Sequence, residues 1–229
     1  EESHIVSLGK IAEQRKKMKH VFIGRSKELL TLERMLANEP FAMIYGMEGV
    51  GKTSVALELI YWLIRTEKYE KAVYVNVENI TDINDVINDI GKQLVSESKE
   101  YDKEQLESEK ETIELIKENL NELNTIILFD QIECILPVLS LEESETIMDS
   151  RAERFFALCN TLLKSRETRI IFTTREKIPG EFGQNGLYLS TLPKNDAIEL
   201  VYNILNQNGK ELPVNDNNDI HEEVENLVD

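Results

Sequence analysis

Phe41-Ala-Met-Ile-Tyr45 runs directly into Gly46-Met-Glu-Gly-Val-Gly51-Lys52-Thr53, and this stretch decides the fold. Five apolar residues end at a glycine, the eight that follow match G-x-x-x-x-G-K-[ST] in full, and a helical pattern then runs to about Glu67. Strand, loop, helix is the context in which this motif acts on phosphate. Glycines let main-chain N–H groups turn inward, and the helix offers its N-terminus to negative charge. Lys52 is then a compact cation for β- and γ-phosphates, and Thr53 supplies a hydroxyl to Mg²⁺. The expected nucleotide cradle comprises Gly46, Met47, Glu48, Gly49, Val50, Gly51, Lys52, Thr53 and Ser54. A glycine turn that closes a strand–helix joint without ligand is the bland alternative.

Outward from this segment, unbroken apolar runs recur at 72–77, Thr125-Ile-Ile-Leu-Phe129, 169–173 and, weakly, 187–189. Such runs suit strands buried on both faces. Between them the apolar spacing turns helical: Ile83 to Val95, then Leu106, Ile113, Ile116, Leu120 and Leu123, then Ala152, Phe155, Phe156, Cys159, Leu162 and Leu163 on one face. Alternating strands and helices predict an α/β three-layer sandwich around a parallel five-stranded sheet. A further helix is expected from about Asp196 to Leu205, after which the chain turns acidic and polar, as a fragment of a longer protein or a complete one with a frayed acidic tail would. The expected division is an N-terminal helical segment or linker at 1–20, a nucleotide domain at 21–192, and a further helical part, begun but not finished, at 193–229.

A phosphate loop needs a metal ligand and a water-positioning group from elsewhere. The third strand ends in Asp130, a carboxylate suited to Mg²⁺ at the carboxyl edge of a parallel sheet. Gln131 and Glu133 follow and share a side if the strand continues; either an amide or a carboxylate can position water for phosphoryl transfer. The fourth strand ends in Thr173-Thr174-Arg175, which puts hydroxyls and a guanidinium at the same edge. Arg175 there can sense a γ-phosphate, or instead pair with Glu176 or Glu181. Trp62 on the helix after the loop reads as core. The basic run from Arg15 to Lys19 reads as a solvated helix face.

The chain has 229 residues, 41 % hydrophobic and 30 % charged, which suits one sizeable domain and excludes a disordered or collagen-like chain. Nowhere do 18 apolar residues run together, so no membrane span is expected. Two cysteines without C-x-x-C spacing and three scattered histidines argue against a zinc site or a disulfide frame, and a reducing cytoplasm is the expected setting. Net charge is −17, of which residues 97–114 and 211–229 carry −12. Phosphate-backbone binding wants the opposite sign over a broad face, so nucleic acid is not an expected partner.

In their order along the chain, these elements resemble the STAND class of P-loop ATPases, the signalling switches of NB-ARC and apoptotic-ATPase type. Val21-Phe22-Ile23-Gly24-Arg25, with Glu28 close behind, is similar to the class's Gly-Arg-Glu element beside the adenine and ribose. Leu128-Phe-Asp-Gln-Ile-Glu133 resembles its metal strand with Gln131 in a position that usually holds Asn or an acid, Phe172-Thr-Thr-Arg-Glu176 its sensor strand, and Leu189 to Val201 the opening of its helical lid. The resemblance implies a sensor strand inserted between the phosphate-loop and metal strands, ATP or ADP with Mg²⁺ as cofactors, and oligomerisation or attached effector and sensor domains. On that basis Thr53 and Asp130 hold the metal, Lys52, Gln131, Glu133 and Arg175 serve hydrolysis, and Phe22, Ile23, Gly24, Arg25 and Thr174 join the loop around the nucleotide. The expected function is an ATP/ADP switch with slow hydrolysis. Two readings compete with it: a nucleic-acid remodelling ATPase of the replication-initiator or loader type, and a nucleotide-binding scaffold without catalysis.

Overall fold

The computed structural model describes residues 8–18, 21–78, 80, 82–95, 109–136, 150–165, 167–178 and 180–207. Five parallel strands form one sheet: β1 (Phe41–Tyr45), β2 (Lys71–Asn76), β3 (Thr125–Asp130), β4 (Arg169–Thr174) and β5 (Gly186–Tyr188), in the order β2-β3-β4-β1-β5. Strand β4 therefore lies between β1 and β3, as the resemblance implied. Every strand falls within a residue or two of its expected place.

Period-2 alternation sorts the strand residues onto two faces. Met43, Val73, Val75, Ile127, Phe129, Ile170 and Phe172 enter one core layer, against α4 (Ile83–Val95), α5 (Glu109–Glu122) and α6 (Ser150–Leu162). Ala42, Ile44, Ala72, Tyr74, Ile126, Leu128 and Ile171 enter the other, against α1 (Lys10–Lys17), α2 (Ser26–Asn38) and α3 (Lys52–Arg65). A last helix, α7 (Lys194–Gln207), follows β5. The segment 138–150 and the acidic stretches 97–108 and 211–229 lie outside the described residues, except that Ser150 opens α6.

Two expectations are corrected here. Trp62 is 55 % exposed and not core. Helix α3 is apolar almost all round, so spacing alone does not say which stripe meets the sheet; Leu59, Ile60, Leu63 and Ile64 take the buried positions. The basic run is only partly a solvated face. Arg15 reaches Glu58 at 3.0 Å and lies 3.7 Å over the Tyr61 ring, while Lys16 and Lys17 stay exposed. An eight-residue helix is marginal alone, and α1 holds because Leu8 and Ile11 are buried beneath it.

Candidate functional site

Parallel pairing aligns the carboxyl ends of the strands, with Tyr45 opposite Thr174 and Asn76 opposite Asp130. All the chemistry-bearing residues from 46 to 53, 130 to 133 and 173 to 175 thereby gather at one edge. The loop leaves β1 at Gly46, where a Cβ would lie 2.4 Å from the Leu189 carbonyl oxygen, so only glycine lets the two main chains pass. Gly51 is the N-cap of α3 in the left-handed region and gives no side-chain cap, which leaves the first-turn N–H groups to point out of the helix end. Lys52 folds back over the loop and donates to the carbonyls of Gly46 and Met47, each at 2.9 Å. Desolvation lowers its pKa from the ordinary lysine value, helped by Arg175 and opposed by Glu133, Asp130 and Glu48. Met47 is exposed, and so is the Glu48 side chain.

Asp130 is 1 % exposed. Its Oδ1 accepts from Thr53 Oγ1 at 2.8 Å and from Thr173 Oγ1, and its Oδ2 accepts from the Tyr74 hydroxyl at 3.0 Å. Burial, then the Asp130 charge and hydrogen bond, push the Tyr74 phenol far above its usual range. A carboxylate has about four lone-pair sites, so three donors leave it room for one more partner. No cluster of three His, Cys, Asp or Glu able to cage a metal exists among the described residues. One buried carboxylate beside a threonine hydroxyl still fits Mg²⁺, a hard cation that keeps waters and takes phosphate oxygens along with one or two protein groups.

Strand β3 does not continue past Asp130, which corrects the expectation that Gln131 and Glu133 extend along one side. Gln131 adopts a left-handed conformation (φ 62°) and its N–H donates to Thr173 Oγ1 at 2.9 Å. A 3₁₀ turn, Ile132–Ile135, then carries Glu133 back toward the edge. Arg175 donates from Nε to Glu133 Oε1 at 3.1 Å and its Nη1 pairs with Glu48 Oε2 at 3.1 Å, not with Glu176 or Glu181. Glu133 Oε2 and Thr174 Oγ1 are buried without a partner among the described residues. Unpaired buried oxygens of this kind ask for a ligand or water.

Beside the loop opens a cavity of about 290 Å³ lined by Phe22, Ile23, Arg25, Gly49, Val50, Gly51 and Ser54. Val21, the first residue of the element expected beside the adenine, completes it with Met18, Val55, Leu192 and Leu200, none of which had been given a site role. Gly24 is not part of this lining. It takes φ +70° where a Cβ would meet the Asp196 carboxylate of α7. The Arg25 guanidinium is buried, pairs with Glu28 at 3.0 Å, and donates to the carbonyls of Ser190 at 2.6 Å and Val50 at 3.4 Å. It ties the loop to the segment that leads into α7.

Residues 11–201 match the family model described as Novel STAND NTPase 1. The chain belongs to that family. No curated protein sequence matches it. Among solved structures, a Walker-type ATPase of Pyrococcus abyssi superposes with a TM-score of 0.59 at 16 % identity, over 90 % of this chain and 63 % of that one. The Aeropyrum pernix ORC1 protein, solved in complex with DNA, gives 0.61 at 16 %, over 90 % and 53 %. A STAND protein with a tetratricopeptide-repeat sensor from Pyrococcus horikoshii gives 0.53 at 23 %, over 90 % and 27 %. At these identities the likeness is one of fold. This STAND NTPase chain spans less than two thirds of the length of each of these three structures.

Proposed function

We propose that this STAND NTPase is an ATP/ADP-controlled switch with slow, Mg²⁺-dependent hydrolysis. One observation carries the reading: Lys52, the open N-terminus of α3, the Thr53–Asp130 pair and an apolar cavity adjoin one another at the carboxyl edge of the sheet. Loop amides and Lys52 would hold the phosphates, Thr53 and Asp130 the metal, and the cavity an adenine. Mg²⁺ held there would supply positive charge against the charge that develops in phosphoryl transfer. Glu133, with one oxygen free, is the group to orient or deprotonate water; Gln131, whose N–H is engaged with Thr173, is the weaker candidate.

The Arg175 ion pairs supply a reason for slowness. A guanidinium engaged with Glu133 and Glu48 must exchange those partners for a γ-phosphate before it stabilises charge there. Turnover of unassisted switch NTPases lies at roughly 10⁻⁴ to 10⁻² per second, and a stabilising Arg is worth about 10³ to 10⁵ in rate. Controlled assembly with further copies or attached domains is the natural output of such a switch.

Calorimetry of the folded protein with Mg·ADP and Mg·ATP tests this. Binding is expected, and Lys52→Ala should weaken it roughly 10- to 100-fold, the loss of a charge-assisted contact worth about 1.5–3 kcal/mol. Glu133→Gln should slow hydrolysis roughly 100-fold with ADP affinity held within about twofold. Absence of heat from both nucleotides defeats the proposal; unchanged hydrolysis in Glu133→Gln defeats the assignment of the base alone.

A further inference from the structure

Tyr74 stands out as a polar tip inside an apolar strand. It lies on β2, which among the described residues is the outermost strand on its side of the sheet and pairs with β3 alone. Its partner in register is Leu128, so Asp130 is the diagonal neighbour two residues on, within reach of a long side chain. The ring is buried in the layer beneath α1 to α3 and the hydroxyl ends 3.0 Å from Asp130 Oδ2.

An outer strand leaves one row of main-chain groups unpaired, and at Tyr74 that row is closed by a side chain. The Tyr74 N–H donates to Gln93 Oε1 at 3.0 Å, and Gln93 Nε2 donates back to the Tyr74 carbonyl at 2.8 Å. Gln93 Nε2 also reaches the Asp89 carbonyl at 3.2 Å, so the amide is itself anchored on α4. Helix α4 thus grips the backbone of the residue whose hydroxyl holds the carboxylate.

A carboxyl group rotates easily about its last bond, because that torsion is broad and roughly two-fold. Thr53 and Thr173 both act on Oδ1 and leave that rotation weakly restrained. Tyr74 alone among the described residues donates to Oδ2. We infer that Tyr74 is a positioning residue for the metal site, held in place by Gln93, which sets the plane of the Asp130 carboxylate for Mg²⁺. The inference rests on the proposed role of Asp130 and adds a residue to it. Outer-shell partners of this kind typically change metal affinity 10- to 100-fold when lost.

The experiment is calorimetric titration of ADP into wild type, Tyr74→Phe and Gln93→Ala, each at graded MgCl₂ and in EDTA. In Tyr74→Phe the Mg²⁺ concentration that gives half of the metal-dependent gain in ADP affinity should rise about tenfold. Affinity in EDTA should stay within about twofold, which a merely structural role would not allow. Gln93→Ala leaves the ring and hydroxyl in place and should move the Mg²⁺ midpoint the same way by a smaller factor; it decides the matter if Tyr74→Phe does not fold. An unmoved midpoint in a folded variant, or an equal loss with and without Mg²⁺, overturns the role of Tyr74. A wild type whose ADP affinity ignores Mg²⁺ overturns the role of Asp130 as well, so the two failures are distinguishable.

Discussion

Arg175 shows how much a single residue's meaning depends on neighbours distant in sequence. A guanidinium after the fourth strand reads as a sensor, yet its partners are Glu48 in the loop and Glu133 in the turn after β3. Neither pair is a sequence neighbour, so no local pattern announces them. Thr173 was expected at this edge but given no role, and Tyr74 was not expected there, although both touch Asp130. The available signal was faint: a hydroxyl-bearing residue at a fixed distance from the end of an otherwise apolar strand. Cys134, next to Glu133, gives a test at this scale. It is exposed, but partial burial and then the Glu133 charge raise its thiol pKa above the ordinary value, so it holds less thiolate at neutral pH. Alkylation followed by mass spectrometry should label Cys134 slowly at pH 7, with a rate midpoint above that of free cysteine. Removing the charge in Glu133→Gln should move that midpoint downward. Cys159, fully buried, should label only on unfolding.

Elements were more legible than residues. All five strands and α4, Ile83–Val95, lie within a residue or two of their expected bounds, because a buried parallel strand must be apolar throughout and an amphipathic helix must repeat every 3.6 residues. Legibility failed where an element is apolar on all sides or ends without a marker. Helix α3 concealed which stripe is exposed, hence Trp62. Strand β3 ends at Gln131 in a left-handed conformation that non-glycine residues adopt uncommonly, with no Gly or Pro to signal the stop. Helix α1 is short and charged, and its buried Ile11, with Leu8 just before it, places it in the second core layer. Ile11→Ala should therefore cost about 2–5 kcal/mol, read from urea denaturation. A loss below about 0.5 kcal/mol would mark α1 as a loosely attached strap.

At the scale of the whole molecule, the net charge of −17 makes the switch and loader readings testable against each other, the ORC1 neighbour having been solved with DNA. Non-specific affinity comes from Lys and Arg neutralising phosphates, at roughly 10⁻⁴ to 10⁻⁶ M for proteins equipped for it. Fluorescence anisotropy with a labelled duplex at low salt should give binding weaker than about 100 μM. Tighter, steeply salt-dependent binding would favour the loader reading over the switch. Arg25 ties the loop to the segment that leads into α7, through the carbonyls of Val50 and Ser190. The Arg-Glu element was visible as a resemblance, and its acid, displaced to Glu28, still meets Arg25 at 3.0 Å.

The amino-acid order by itself determined the α/β alternation, the phosphate loop and the acid that closes the third strand. These depend on spacing along one chain: apolar runs, a glycine pattern, a carboxylate at a strand end. Tertiary structure decided which strands adjoin, and therefore that Thr53, Thr173 and Tyr74 converge on one carboxylate while Arg175 bridges two others. Convergence is set by sheet register and by the abrupt turn at Gln131. Both arise from packing between segments far apart in sequence, which no local periodicity encodes.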